Sequence, residues 1–165
     1  MELYDSLPNT GIRINEITGV DFVKIDIHLG AKESPKNELV IISAFSKEVA
    51  EKDKSKKTAT KAELLNSHWP KEYKEAFTKI SSHARFHGKK SEMYKFPLSS
   101  GATVLALGLG DKSKLEFEHL RKEAAKLFKA IKERYEEAAL LIDSFVIKNK
   151  AEESLEAILE GLYLT

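Results

Sequence analysis

Three runs of strand length carry almost no polar residue: Leu39-Val40-Ile41-Ile42-Ser43-Ala44-Phe45, Ala102-Thr103-Val104-Leu105-Ala106-Leu107 and Ala138-Ala139-Leu140-Leu141-Ile142. A strand with one wet face alternates apolar and polar residues, because successive side chains point to opposite sides. A run without that alternation has both faces covered, as strands do inside a largely parallel sheet. Between and after these runs the period changes. Phe117, Leu120, Ala124, Leu127, Phe128, Ile131 and Tyr135 fall on one helical stripe, and Leu155, Ile158, Leu159 and Leu162 mark a last amphipathic helix. Strand, helix, strand, helix with short joints predicts an α/β fold of three layers: a mixed, mostly parallel sheet with helices on both faces.

The first half is less regular. Val23, Ile25, Ile27 and Leu29 alternate with Lys24, Asp26 and His28, and Ile12 and Ile14 alternate with Arg13 and Asn15. Thr18-Gly19 supplies a turn between them, so two strands near a sheet edge are expected. Residues 30–37 are polar, contain Pro35 and read as a loop. Residues 46–61 hold Lys47, Lys52, Lys54, Lys56, Lys57 and Lys61 among Glu48, Glu51 and Asp53, with almost no large apolar residue. The whole chain balances 27 basic against 26 acidic residues, a net +1, so this stretch reads as a flexible, solvated loop rather than a nucleic-acid arm. A short helix is expected from Lys61 to Ser67. Pro70 suits the first turn of the next helix, whose stripe is Tyr73, Ala76, Phe77, Ile80 and Ala84, ending by Gly88. Tyr94, Phe96 and Leu98 predict a short strand. Ser113 with Glu116, and Asn149 with Glu152, have capping-box spacing and predict two helix starts.

A chain of 165 residues is one domain's worth. The absence of cysteine excludes disulfides, thiol nucleophiles and Cys-ligated zinc. No apolar run approaches the roughly 18 residues of a membrane span, and the opening Met1-Glu2-Leu3-Tyr4-Asp5 is acidic, so a cytoplasmic protein is expected. Gly108-Leu109-Gly110-Asp111-Lys112-Ser113 lies where a strand runs into a helix, a place that suits anions. Gly108, Gly110 and Ser113 are therefore the candidate ligand-binding residues. The third glycine of a dinucleotide fingerprint is missing, no glycine precedes Lys112 as in a P-loop, and Asp111 would repel a phosphate, so a plain structural turn is the competing reading. His83 and His87 have metal-compatible spacing, but no Glu follows His83 and no third ligand is identifiable. His28, His68 and His119 form no triad, and Ser99-Ser100-Gly101 lacks the Gly-x-Ser-x-Gly elbow. Asp21, Asp26 and Asp143 read as polar-face or capping residues. Neither a catalytic residue nor a metal ligand is assigned.

The second half resembles a known family. Val104-Leu105-Ala106-Leu107-Gly108-Leu109-Gly110, then Leu120-Arg121-Lys122-Glu123-Ala124-Ala125-Lys126, then the ending Ala151 to Leu164 with Glu160-Gly161, are similar to the N-terminal domain of cytosol (leucyl) aminopeptidases. Phe86-His87-Gly88-Lys89 through Tyr94-Lys95-Phe96-Pro97-Leu98 resembles that family's glycine-lysine link into a strand, with Phe-Pro-Leu where the family has Leu-Pro. The likeness runs from about Tyr73 to Thr165. It implies a fold related to macro domains and the non-catalytic part of a hexameric exopeptidase. In the parent a C-terminal catalytic domain binds two divalent ions, zinc or manganese. That half carries a Tyr-Arg-Phe segment and an Asn-Thr-Asp-Ala-Glu-Gly-Arg-Leu signature, neither of which occurs here. An excised or truncated single domain, residues 1–165, without cofactor and without peptidase activity of its own, is expected. Two other functions compete: a free-standing macro-like module for ADP-ribose or a related nucleotide, and DNA binding through the lysine-rich stretch.

Overall fold

Alternate residues of each central strand enter two different cores. Leu39, Ile41 and Phe45 lie in one, and Val40, Ile42 and Ala44 in the other; Leu105 and Leu107 oppose Val104 and Ala106 in the same way, as Ala138 and Leu140 oppose Ala139 and Leu141. All but Phe45 and Leu141 are at most 2% exposed, which is why these runs lack polar residues. The computed structural model describes residues 12–13, 24–28, 38–50, 60–65, 69–80 and 86–164. In chain order the elements are β1 (Ile12–Arg13), β2 (Lys24–His28), β3 (Leu39–Ala50), β4 (Thr60–Leu65), α1 (Lys71–Ile80), β5 (Met93–Pro97), β6 (Thr103–Gly108), α2 (Phe117–Ile131), β7 (Glu137–Leu141) and α3 (Ala151–Tyr163), with 3-10 turns at Lys112–Lys114 and Ile142–Phe145.

The sheet runs β1-β2-β7-β3-β6-β5, with β4 paired to β3 off this path. The middle pairs β2–β7, β7–β3 and β3–β6 are parallel, and the outer pairs β1–β2 and β5–β6 are antiparallel. One face is closed by α2, through Leu120, Ala124, Leu127, Phe128 and Ile131, and by α3, through Ala157, Ile158 and Leu162. On the other face Trp69, Tyr73 and Phe77 of the α1 region pack with Phe86 and Phe96. The rings of Trp69, Phe77, Phe86 and Phe96 meet edge-on or stacked at 5.5–6.3 Å, distances at which aromatic pairs attract. The three-layer α/β expectation holds, and the early strands lie at the β1 edge as expected.

Four expectations are corrected. The lysine-rich stretch enters the described residues at both ends, and there it is strand: residues 46–50 continue β3 and residues 60–61 open β4. Antiparallel pairing satisfies backbone groups without needing apolar residues, and the register sets Lys47 opposite Glu63. Residues 51–59 lie outside the described part. The helix expected over 61–67 is strand as far as Leu65. Lys61-Ala62-Glu63-Leu64-Leu65 has good helix formers, but pairing with β3 overrides propensity. The helix expected from Ser113 starts at Phe117, because Asp111 takes the capping role on a 3-10 turn and Glu116 precedes the helix proper. Lys150 rather than Asn149 precedes α3; Lys148 and Asn149 both have φ 55, a left-handed pair that sets the chain's entry.

Candidate functional site

In an open α/β sheet a ligand is expected beyond the carboxyl ends of parallel strands, where neighbouring connections diverge. Here that place lies between β7 and β3, which β6 and its crossover flank. The chain itself fills it. Ser43 donates its backbone N–H to Ser144 Oγ at 2.9 Å, its hydroxyl donates to the Ser144 carbonyl, and its own carbonyl accepts Trp69 Nε1 at 2.6 Å. Ser144 Oγ donates onward to the Leu141 carbonyl at 2.9 Å. Ser43, Ser144 and Trp69 are all buried, with Ile142 and Phe145 of the intervening turn seated in the core. Buried polar groups that satisfy one another this way rigidify a site.

The Gly108–Gly110 turn is equally engaged. Gly108 N–H donates to the Glu92 carbonyl at 2.7 Å, Leu109 N–H to Ala44 at 2.9 Å and Gly110 N–H to Gly88 at 2.9 Å. Ser91 and Ser46 return donors to the carbonyls of Gly108 and Gly110. Ser113 directs both its N–H, at 2.9 Å, and its hydroxyl, at 2.7 Å, to Asp111 Oδ1. These two bonds, hydroxyl first, hold the Asp111 carboxyl below its ordinary value, so it stands as an anion beside the turn. The structure thus sets Gly108, Gly110 and Ser113 in one turn, where the N–H groups of Gly108, Leu109, Gly110 and Ser113 each already have a protein acceptor. The close approach explains the glycine at 108, where a Cβ would lie 2.1 Å from the Lys89 carbonyl oxygen.

The other candidates scatter. His87 is half-buried, and its backbone N–H donates to Glu92 Oε2 at 2.9 Å. His119 Nδ1 accepts the Glu116 N–H at 3.1 Å and so caps α2. His28 and Asp26 belong to β2. Asp143 is exposed in the turn after β7, and Gly101, φ 90, closes the β5–β6 turn beside Ser99 and Ser100. His68, His83 and Asp21 lie outside the described residues. Among the described residues no three His, Asp or Glu side chains converge as a metal site, and no helix is long and apolar enough to cross a membrane. One void of about 10 Å³ lies in the core among Ile41, Leu127, Phe128, Phe145 and Ile158, all apolar.

Two polar clusters escaped the sequence reading. The Ser43–Ser144–Trp69 knot joins residues far apart in the chain, which no local pattern reveals. Glu123 was findable: it falls between Leu120 and Leu127 on the buried stripe of α2 and is itself fully buried.

Residues 41–165 match the family model described as "Cytosol aminopeptidase family, N-terminal domain". Among solved structures the chain is similar to the bottromycin maturation enzyme BotP in complex with Mn, with a TM-score of 0.51 and 18% identity, over 78% of this chain and 22% of that one. At that identity the likeness speaks for the fold. None of the curated proteins matches the chain.

Proposed function

Because the chain belongs to the cytosol aminopeptidase family, as its N-terminal domain, we propose that it is the non-catalytic partner of a two-metal aminopeptidase, serving assembly and access to a neighbouring active site. What carries this reading is the state of the strand ends: the crevice between β3 and β7 is filled by Ser43, Ser144 and Trp69, and the Gly108–Gly110 donors are bonded to the protein's own backbone. In its described residues, a domain built this way offers surface rather than a pocket. A C-terminal catalytic domain in the same polypeptide supplies the carboxylate cluster that two cations and an activated water require. The same reading places the parent in the cytoplasm as a hexamer with two zinc or manganese ions.

The test is the chain alone, incubated with a leucyl amide and Mn²⁺ or Zn²⁺. No turnover is expected, and metal-dependent release of leucine would overturn the reading. The macro-like alternative is separated by calorimetry with ADP-ribose, where a silent titration at millimolar ligand is expected. DNA binding through the lysine-rich stretch would show as binding that is lost when Lys52, Lys54, Lys56 and Lys57 are neutralised and that falls steeply with salt.

A further inference from the structure

Glu123 presents an unusual arrangement: a carboxylate with no solvent exposure, on the core-facing side of α2. Its compensation comes from two groups. The Ser91 hydroxyl lies 2.9 Å from each carboxylate oxygen, and Lys126 Nζ lies 2.9 Å from Oε1 and 3.0 Å from Ser91 Oγ. Ser91 has φ 65, a left-handed backbone that a non-glycine residue holds only when its surroundings impose it. The segment carrying Ser91 is the one whose carbonyls, at Gly88 and Glu92, occupy the N–H groups of Gly110 and Gly108.

Taking the counter-charge from a buried carboxylate leaves it uncompensated, and water must then reach it. Two routes exist. Moving α2 would expose the apolar stripe of Leu120, Ala124 and Leu127, whereas lifting residues 87–92 leaves Phe86 in its core and displaces a segment in which Lys89, Lys90 and Ser91 are already exposed. Local opening follows the second route. We propose that residues 87–92 form a strap over the Gly108–Gly110 turn, and that the charge balance between Glu123 and Lys126 decides whether the strap is seated. Loss of the Lys126 charge releases it and bares the Gly108 and Gly110 N–H groups. Lys126, 54% exposed, is the member of the pair that chemistry from outside can reach.

The experiment is residue-resolved amide hydrogen exchange on the chain and three variants. In Lys126→Met, exchange at Gly108 and Gly110 speeds up about tenfold or more, while Leu105 and Leu140 keep their protection. In Glu123→Gln/Lys126→Met no charge is left buried, so protection at Gly110 returns toward that of the parent chain. Lys126→Arg keeps the charge and stays protected. The proposal is overturned if Gly110 is unchanged in Lys126→Met, or if the double variant opens as far as the single one, since counting hydrogen bonds alone predicts the latter. It is overturned equally if acceleration spreads to Leu105 and Leu140, or if Lys126→Met fails to fold, because the release is then not local.

Discussion

Gly108 and Gly110 stand two positions apart and are glycines for different reasons. Gly108 lacks room, its Cβ falling on backbone atoms of Gly88 and Lys89, whereas Gly110 has φ 81 and ordinary contact distances. Gly108→Ala is therefore expected to cost about 3 kcal/mol by overpacking against backbone that cannot move aside, and Gly110→Ala only about 1–2 kcal/mol, the left-handed penalty. Urea denaturation of the two variants measures the difference. A neighbour sets a pH effect. The folded-state carboxyls of Asp111 and Glu116 are held below their ordinary values of 3.8 and 4.5, the first by Ser113 hydrogen bonds and the second by the bond from Lys148. A lowered carboxyl contributes stability in full above its unfolded value and loses it as pH falls through the folded one. Stability should thus decline below about pH 4. Asp111→Asn should flatten part of that decline, as thermal melts at pH 3 and pH 6 would show.

At the scale of elements, the three apolar runs were legible because each strand is buried on both faces, so composition alone exposes it. β4 was not, since its residues favour a helix until β3 pairs with them, and pairing is a property of two segments rather than one. The cap of α2 lies three residues beyond Ser113, at Glu116, because Ser113 has cap spacing but gives its N–H to Asp111. Of the candidate site, the strand–glycine–helix location was readable. The identity of its acceptors was not: Gly88 and Glu92 approach through β5–β6 pairing, and Ser91 meets Glu123 across 32 positions. Two substitutions test the packing of elements. Trp69→Phe puts a smaller aromatic ring in its place and leaves the Ser43 carbonyl without its indole donor, at a cost of about 1–2 kcal/mol or more in equilibrium unfolding. Gly161→Ala places a Cβ 2.3 Å from the Arg121 carbonyl oxygen and 2.8 Å from Ala124 Cβ, where α3 crosses α2. It should force the helices apart and lower stability by about 2–3 kcal/mol.

For the molecule as a whole, the sheet divides the interior into two compartments that share strands but not side chains. Ile41 and Ile42 are adjacent in sequence, fully buried and assigned to opposite cores. Ile41→Val and Ile42→Val should each cost about 0.5–1.5 kcal/mol, and the double variant should cost their sum within about 0.5 kcal/mol. Strong coupling between them would mean that the two faces do not pack independently. A short braced stretch of β3 ties this divided body to the β3–β4 ribbon. β3 pairs with β6 as far as Ala44 and with β4 from Phe45 onward, so Ser43, anchored sideways by Ser144 and by the Trp69 indole, stands just before the handover. A pull on the β3–β4 ribbon is therefore met first by the bonds of Ser46 and Ala44 to the Gly108–Gly110 turn and then by the braced Ser43, so the load is spread over β6 and the turn after β7 before it reaches the rest of the sheet.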